Sequence, residues 1–247
     1  MSAIAWNYVR DQRGMSVRHQ WNTQVGALPA PEQRKLLDLA EVITLSFEQV
    51  LHSHNESMPY VYFPTTSFIS ELVTTAQNEC IEVHLVGHEG MLGVSLVLQD
   101  KLAPFDAVVQ GAGEALRLSR KDFLRLLKHA PKLDRFLHRY TYVVIKQLAH
   151  NVACAQYHAI EGRLARWLLM TQDRAGNDTF AVTQEFLSHM LGASRVGITN
   201  AASLLKKLKL IHYVRGQMQI LDREGLRQHS CGCYVTDIAT YQAHMKN

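Results

Sequence analysis

The chain has 247 residues, of which 47% are hydrophobic, and it carries a formal net charge of +4. This length suits two domains of ordinary size, and the composition argues against intrinsic disorder. No apolar run reaches the roughly 18 to 20 residues of a membrane-spanning helix. The N-terminal sequence also differs from a secretion signal, which begins with basic residues and continues with an apolar stretch. The sequence therefore predicts a cytoplasmic protein that has no membrane partner.

The N-terminal part of the chain predicts an irregular arm followed by a mainly β domain. Residues 1–24 are predicted to form the arm, and its candidate packing anchors are Trp6, Tyr8 and Trp21. A short helix is predicted from Pro31 to about Val42, because proline suits a first helical position and leucines form an apolar stripe behind it. Residues 44–118 alternate short β-type runs with turn residues. This pattern predicts a jelly-roll β-barrel within a sensor-like domain at 25–130.

A long helix is predicted to follow the β domain. Ser119 suits the N-cap of a first short helix, and Pro131 begins a second helical stretch that continues to about Tyr157. Residues recur along this stretch in steps of four and three, which is heptad spacing. They are Leu133, Leu137, Tyr140, Val144, Gln147, Asn151, Cys154 and His158. The spacing predicts a dimerisation helix at 131–158 that pairs with a second copy of the chain. A core helix packed on the β domain is the alternative.

Residues 183–208 have the pattern of a helix-turn-helix within a C-terminal winged-helix domain at 159–247. Thr183 and Ser194 suit the N-caps of two helices, and Gly192 suits a tight turn that needs a positive φ. Small and apolar residues fall where two crossing helices would bury them. These inward positions are Leu187, Ser188, Leu191, Ile198, Ala201, Ala202, Leu204 and Leu205. The same helix pair used only structurally is the alternative.

The outward positions of the second helix offer groups that can recognise base edges in DNA. Arg195 can donate two hydrogen bonds to guanine, and Asn200 can pair with adenine through two hydrogen bonds. Val196 and Thr199 present methyl groups, which suit thymine or simple shape contacts. The helix is therefore a candidate recognition helix.

Positive charge supports contact of this segment with double-stranded DNA. Residues 186–221 contain no Asp or Glu, and their cations are Arg195, Lys206, Lys207, Lys209 and Arg215. A surface of one sign is expected where a protein binds phosphates, although a solvated helix surface has the same composition. Residues 211–221 predict a β-hairpin, and Arg215 at its tip would position a wing on phosphates. The predicted DNA-contacting residues are Thr183, Ser194, Arg195, Val196, Thr199, Asn200, Ser203, Lys206, Lys207 and Arg215.

The chain resembles Crp/Fnr-type regulators along most of its length. The residues that carry the resemblance are Gly162-Arg163-Leu164-Ala165, the segment 183–195 and Leu208-Lys209-Leu210-Ile211. The resemblance implies an α+β protein with an N-terminal β-roll, a long dimerisation helix and a C-terminal winged helix-turn-helix. It further implies a homodimer on a two-fold symmetric DNA site, an effector in the β-roll that shifts the DNA-binding domains, and RNA polymerase as a partner.

Two departures from the family pattern affect the expected effector and operator. Cyclic-nucleotide-binding members have a Gly-Glu-Leu segment and an Arg-Ser pair, where this chain has Gly93-Val94-Ser95 and Pro104-Phe105-Asp106. The resemblance thus implies that cyclic AMP is not bound by the usual route and that the effector is unknown or absent. The candidate effector-binding residues are Gly93, Val94, Ser95, Phe105 and Asp106. On the recognition helix, Val196 and Asn200 replace a Glu and an Arg of many members, so the operator should differ.

No cofactor and no enzymatic activity are predicted from the β domain. Oxygen-sensing members of the family hold an iron–sulfur cluster on N-terminal cysteines, and residues 1–79 contain no cysteine. His84 or His88 could ligate a haem, and His84 with Glu89 could bind a metal in a jelly-roll enzyme. Structural histidines are favoured, because Gly87 interrupts the strand that would align these side chains.

The C-terminal sequence contains three further metal-ligating residues. His229, Cys231 and Cys233 offer three soft ligands, whereas a closed zinc site takes four. A packed C-terminal tail without metal is therefore favoured. The alternative to a DNA-binding regulator is a small-molecule or protein-interaction module whose helix-turn-helix does not bind DNA.

Overall fold

The computed structural model describes residues 9–10, 16–17 and 22–245 of the chain. Near the N-terminus, two short strands pair in antiparallel fashion and two helices follow. They are β1 (Val9–Arg10), β2 (Ser16–Val17), α1 (Thr23–Gly26) and α2 (Ala30–Leu39). The predicted anchors Trp6, Tyr8 and Trp21 lie outside the described residues. Helix α2 ends at Leu39 because Ala40 is extended, so the prediction that it reaches Val42 is wrong.

Two antiparallel sheets then form an open roll. Their strands are β3 (Glu41–Leu45), β4 (Val50–His52), β5 (Tyr60–Pro64), β6 (Phe68–Thr74), β7 (Cys80–Val86), β8 (Asp106–Gly111) and β9 (Gly113–Ser119). One sheet has the order β3-β9-β5 and the other β4-β8-β6-β7. The predicted α+β class with an N-terminal jelly-roll-like domain is confirmed, and its two sheets form an open roll and not a closed barrel. The outer edge of β7 faces a helix instead of a strand, and the Asn151 side chain donates a hydrogen bond of 2.6 Å to the carbonyl of Val83 there.

Helices and a small sheet make up the rest of the described chain. In order they are α3 (Arg120–His129), α4 (Pro131–Tyr157), α5 (Ile160–Ala175), β10 (Thr179–Ala181), α6 (Gln184–Leu191), α7 (Arg195–Lys207), β11 (Ile211–Val214), β12 (Gln217–Ile220), α8 (Arg223–His229) and α9 (Cys233–Met245). The predicted N-cap Ser119 is confirmed and Asp222 caps α8 in the same way, since each side chain accepts a hydrogen bond from a backbone N–H three residues later. None of the described helices is both long and apolar enough to cross a membrane.

Helix α4 packs on the β-roll with the face predicted to bind a second copy of the chain. Leu133 and Leu137 are fully buried, and Tyr140 and Val144 are 2% and 3% exposed, in a core that they share with β5, β9 and α3. For these four residues the predicted dimer seam is wrong, because their side chains fill the chain's own core. The solvent-facing side of α4 instead carries Tyr142, Ile145, Ala149, Val152 and Gln156.

A second core holds the C-terminal unit of α5 to α8 and the three-stranded sheet β10-β12-β11. Helix α9 extends from this unit and packs along α4, where Met245 joins the first core. Arg166 of α5 connects the two regions, because its guanidinium donates to Asn151 of α4 at 2.6 Å and to Asp237 of α9 at 2.5 Å. The C-terminal unit is thus anchored on α4 by buried polar contacts.

Candidate DNA interface

Two short helices joined by a tight turn form the predicted helix-turn-helix. The hydroxyl of Thr183 accepts a hydrogen bond of 3.0 Å from the N–H of Phe186 and caps α6. Ser194 caps α7 in the same way, by accepting a hydrogen bond of 3.1 Å from the N–H of Gly197. Gly192 lies between the helices with φ 53° and ψ 48°, a left-handed conformation that glycine adopts without strain. The predicted caps and turn are confirmed.

The inner faces of α6 and α7 are buried in the second core. Their buried residues are Leu187, Ser188, Met190, Leu191, Ile198, Ala201, Ala202 and Leu205. Leu204 was predicted to point inward, but it is 41% exposed and the prediction is wrong. It follows Asn200 by one helical turn, so it continues the exposed side of α7.

The outward face of α7 carries the residues predicted to reach base edges. Arg195, Val196, Thr199, Asn200 and Ser203 are all exposed, and Val196 is 70% exposed. From Val196 onward they follow one another at helical spacing, so they form a continuous stripe. We call these five residues the recognition stripe.

Two side chains of α6 contact the recognition stripe from one side. The carboxylate of Glu185 forms an ion pair with the guanidinium of Arg195, and the hydroxyl of Thr199 lies 3.0 Å from Oε1 of Gln184. The side chains of Arg195 and Glu185 are 66% and 58% exposed, so their ion pair contributes little to stability in water. Arg195 can therefore exchange this partner for another at low cost.

Strands β11 and β12 form the predicted wing. Val214 pairs with Gln217, which leaves a two-residue turn of Arg215 and Gly216. Both turn residues have positive φ, 51° and 77°, as in the type I′ turn whose twist matches that of a hairpin. Besides Arg195, the exposed cations of α7, the wing tip and the segment between them are Lys206, Lys207, Lys209 and Arg215.

The candidate effector-binding residues lie between β7 and β8 and at the first residue of β8. Gly93 precedes a 3-10 turn that contains Val94 and Ser95. The hydroxyl of Ser95 donates to the carbonyl of Leu102 at 3.3 Å, and the carboxylate of Asp106 accepts a hydrogen bond of 2.8 Å from the N–H of His54. Phe105 lines a cleft of about 800 Å³ between β7, the second half of α4 and α5. The polar atoms of Ser95 and Asp106 are thus engaged within the β-roll.

Two of the three side chains considered for a metal or haem in the β-roll, His84 and Glu89, have protein partners. Nδ1 of His84 lies 2.8 Å from Oε2 of Glu71, and both side chains are buried. Glu89 accepts a hydrogen bond of 2.5 Å from Arg174. Burial raises the pKa of Glu89, but the charge of Arg174, the neighbouring His88 and His84 and a backbone hydrogen bond together outweigh it, so the net pKa is below its ordinary value. These contacts account for both side chains as structural groups.

A group of soft metal-ligating side chains lies at the C-terminal end of α4. Within the described part of the chain, Cys154, His158, Cys231 and Cys233 each place a ligand atom within 4.8 Å of the others. His229, a candidate ligand in the sequence, lies outside this group, and its Nδ1 is 3.1 Å from the carbonyl of Gly225. Sequence reasoning missed Cys154 and His158, although a Cys-x3-His pattern at a helix end could have indicated them.

Comparison with protein families matches residues 162–229 to the Crp-like helix-turn-helix domain. The match begins in α5 and ends with α8, so it includes both helices of the helix-turn-helix and the wing. No curated protein matches the chain.

Solved structures share the fold at low sequence identity. FixK2 from Bradyrhizobium japonicum matches with a TM-score of 0.66 at 14% identity, over 78% of this chain and 98% of that one. A transcriptional regulator assigned to the Crp/Fnr family from Eubacterium rectale matches with a TM-score of 0.66 at 13% identity, over 84% and 97% of the two chains. The c-di-GMP responsive global regulator CLP of Xanthomonas campestris matches with a TM-score of 0.64 at 11% identity, over 78% and 99%.

Proposed function

We propose that this chain, which has the fold of Crp/Fnr-type regulators and carries a Crp-like helix-turn-helix domain, is a sequence-specific DNA-binding transcription regulator. It would act as a homodimer on a two-fold symmetric operator. In this proposal residues 25–130 form a sensor-like domain, 131–158 provide the dimer contact and 159–247 bind DNA. The observation that carries the proposal is the recognition stripe, an exposed and acid-free face on a helix whose other face is buried.

The recognition stripe offers both polar and apolar contacts to the major groove. Arg195 lies in the first turn of α7, where it can reach guanine, and Asn200 lies farther along the same exposed side, where it can pair with adenine. The exposed methyl groups of Val196 suit the methyl group of thymine. Each such base contact discriminates against a wrong base by about 1–3 kcal/mol.

The groups around the recognition stripe would position the domain on phosphates. Thr183 and Ser194 mark the N-terminal ends of α6 and α7, where free backbone N–H groups and the helix dipole favour phosphate oxygens. Lys206, Lys207 and Arg215 add exposed positive charge at the other end of α7 and at the wing tip. Contacts of this kind increase affinity for all sequences and make binding sensitive to salt.

The solvent-facing side of α4 supports a homodimer. Tyr142, Ile145 and Val152 are 49%, 56% and 72% exposed, although they are large and apolar. With Ala149 and Gln156 they recur in steps of three and four, the spacing of a two-helix seam. We call these five residues the α4 stripe. Pairing through it would create the two-fold axis that a symmetric operator requires.

A small-molecule effector fits the proposal at the cleft that Phe105 lines. The cleft has a volume of about 800 Å³, and its walls include Ile81 of the β-roll and Trp167 and Met190 of the C-terminal unit. An effector bound between these two parts would bias the orientation of the DNA-binding domain if it bound one orientation more tightly.

Selection from a randomised duplex pool by purified protein, without added ligand and near physiological salt, tests the proposal. We expect enrichment of an inverted repeat whose half-sites lie about one helical turn apart. An enriched site without inverted symmetry would contradict the dimer. No enrichment, with or without added cell extract, would contradict DNA recognition and favour a protein-interaction role for the helix-turn-helix.

A further inference from the structure

We propose that Cys154, His158, Cys231 and Cys233 bind one zinc ion, which joins the end of α4 to the loop between α8 and α9. Sγ of Cys154 lies 3.4 Å from Sγ of Cys231, and Nδ1 of His158 lies 3.5 Å from Sγ of Cys233. Tetrahedral zinc, with bonds of about 2.3 Å to sulfur and about 2.0 Å to nitrogen, separates its ligand atoms by about 3.5–3.8 Å. All four ligand atoms lie within 4.8 Å of one another, so small shifts complete the tetrahedron.

Local structure brings the two halves of the site together. Cys154 and His158 are four residues apart at the end of α4, so their side chains lie one turn apart on the same face. The N–H of Cys231 donates a hydrogen bond of 3.1 Å to the carbonyl of Gly162, which anchors the loop on α5. A Cβ at position 162 would lie 3.4 Å from that nitrogen, which is ordinary van der Waals contact, so the loop packs directly on α5. Cys233 follows as the first residue of α9.

The donor set identifies the class of metal. Three thiolates and one imidazole are typical of structural zinc sites, whereas magnesium and calcium take oxygen ligands. Four protein ligands fill the tetrahedron, so a catalytic water has no position on the ion. An iron–sulfur cluster contains several irons and bridging sulfides, and these hold the cysteine ligands farther apart than four donors around a single ion.

A disulfide between Cys154 and Cys231 is the competing use of two of these thiols. Their sulfur atoms are 3.4 Å apart, whereas a disulfide bond is about 2.05 Å long. All four cysteines of the chain are free thiols in the structure. A disulfide would also leave Cys233 and His158 side by side without a role, whereas zinc uses all four side chains.

The ion would connect parts of the protein that are distant in sequence. Cys154 and Cys231 are 77 residues apart, and α4 and α5 meet directly after His158. Zinc would therefore fix the C-terminal unit to α4 at the connection between α4 and α5. It would restrict rotation of the unit about this connection. The proposal concerns metal binding alone and does not depend on DNA recognition.

Metal analysis of the full chain tests the site. Protein produced with zinc in the medium and purified under reducing conditions should contain one zinc ion per chain. Cys154→Ser, His158→Ala and Cys231→Ser should each lower the zinc content about tenfold or more, because a three-ligand site is open. Cys80→Ser removes a cysteine outside the group, and His229→Ala removes the histidine beside Cys231. Both controls should retain full zinc content.

A second measurement uses only the wild type, so it tests the site even if the variants fail to fold. Wild-type protein stripped of metal by a chelator is titrated with cobalt(II), which gives intense visible absorption in a tetrahedral thiolate site. We expect saturation at one cobalt ion per chain and displacement by zinc. Absence of both zinc and the cobalt spectrum in reduced protein would overturn the proposal. So would a Cys154–Cys231 disulfide in the protein as isolated, or unchanged zinc content in Cys231→Ser.

Discussion

The indole N–H of Trp167 in α5 donates a hydrogen bond of 3.0 Å to Oε1 of Glu82 in β7, and this bond joins the C-terminal unit to the β-roll. The other carboxylate oxygen of Glu82 lies 2.6 Å from the hydroxyl of Ser70. Burial raises the pKa of Glu82 to about 7, and the hydrogen bond from Ser70 and the charge of Arg174 offset only part of that effect. The contact between the two parts of the protein therefore contains a carboxyl group that titrates near neutral pH.

Glu82→Gln should remove a pH dependence of the free energy of unfolding. The folded pKa of about 7 is above the ordinary value of 4.5, so between these values the folded state holds a proton that the unfolded state releases. The stabilisation is complete below the lower value and is lost as the pH rises through the upper one. The Glu82 side chain is partly exposed to solvent, which reduces the effect. We therefore expect the free energy of unfolding of the wild type to fall by about 2 kcal/mol as the pH rises across this window. Urea unfolding at several pH values measures the loss.

The glutamine variant preserves the local hydrogen bonds, because its amide oxygen can accept from Trp167 and its amide nitrogen can donate to Ser70. Glu79→Gln is the matched control, since Glu79 is an exposed carboxylate at the turn before the same strand. The control should show the wild-type pH dependence. Identical slopes for wild type and Glu82→Gln would contradict the prediction.

Gly192→Ala should weaken the packing of the helix-turn-helix on the β-roll. Gly192 has a φ of +53°, and an added Cβ would lie 2.9 Å from Cδ1 of Ile81 in β7. We expect a loss of about 2 kcal/mol in the free energy of unfolding, of which the left-handed backbone accounts for about 1 kcal/mol. Chemical denaturation measures the loss.

Gly176 provides the matched control for this substitution. It has a φ of +61°, but an added Cβ would meet nothing within 4 Å. Gly176→Ala should therefore cost about 1 kcal/mol from backbone strain alone. In an Ile81→Ala background, Gly192→Ala should cost only about as much as Gly176→Ala, because the contact with Ile81 is gone. Equal losses in the two glycine variants would show that the contact with Ile81 has no energetic effect.

The helix-turn-helix could be predicted in detail because its determinants are local. Thr183 and Ser194 cap the helices through hydrogen bonds to residues three positions later, and Gly192 supplies a positive φ. The wing was predictable for the same reason, since the turn at Arg215 and Gly216 lies between two short apolar runs. Each feature depends on residues that are only a few positions apart, so it can be recognised from one sequence.

Features that depend on distant residues were predicted less well. Heptad spacing showed that α4 has an apolar face at Leu133 and Leu137, but spacing does not show whether that face meets the β-roll or a second chain. The cysteine and histidine group depends on the approach of Cys154 to Cys231, which are 77 residues apart. Helix α9 had no counterpart among the predicted elements, because its burial comes from packing on α4.

Arg195→Ala and Arg215→Ala should have different effects on DNA binding, although both arginines are exposed. Arg195→Ala should relax selectivity at one base position of each half-site by about 1–3 kcal/mol. Arg215→Ala should weaken binding to all duplexes alike and lower the salt dependence by about one ion per chain. Fluorescence anisotropy with the selected operator and its single-base variants, over a salt series, distinguishes the two effects. Equal effects on base selectivity would contradict the assigned roles.

Glutamate substitutions in the α4 stripe should dissociate the dimer without unfolding the chain. Ile145 and Val152 are 56% and 72% exposed, so Ile145→Glu and Val152→Glu leave the core of one chain intact. Each variant would bury an introduced carboxylate in the dimer contact, close to the same carboxylate of the second chain. Burying like charges in this way is strongly unfavourable. We expect the dimer dissociation constant to rise about tenfold or more. Sedimentation equilibrium measures the constant, and circular dichroism checks the fold.

Two further variants separate the α4 stripe from other surfaces and from the core. Leu98→Glu adds the same charge at a residue of the β-roll that is 58% exposed, and it should leave the dimer unchanged. Leu137→Ala should cost about 2–5 kcal/mol in stability, because Leu137 is fully buried in the chain's own core, but it should not change the dimer constant at concentrations where the chain is folded. If Leu137→Ala dissociates the dimer while Ile145→Glu does not, the second chain binds a face that the structure places inside the monomer. The packing of α4 on the β-roll would then have to rearrange on dimerisation.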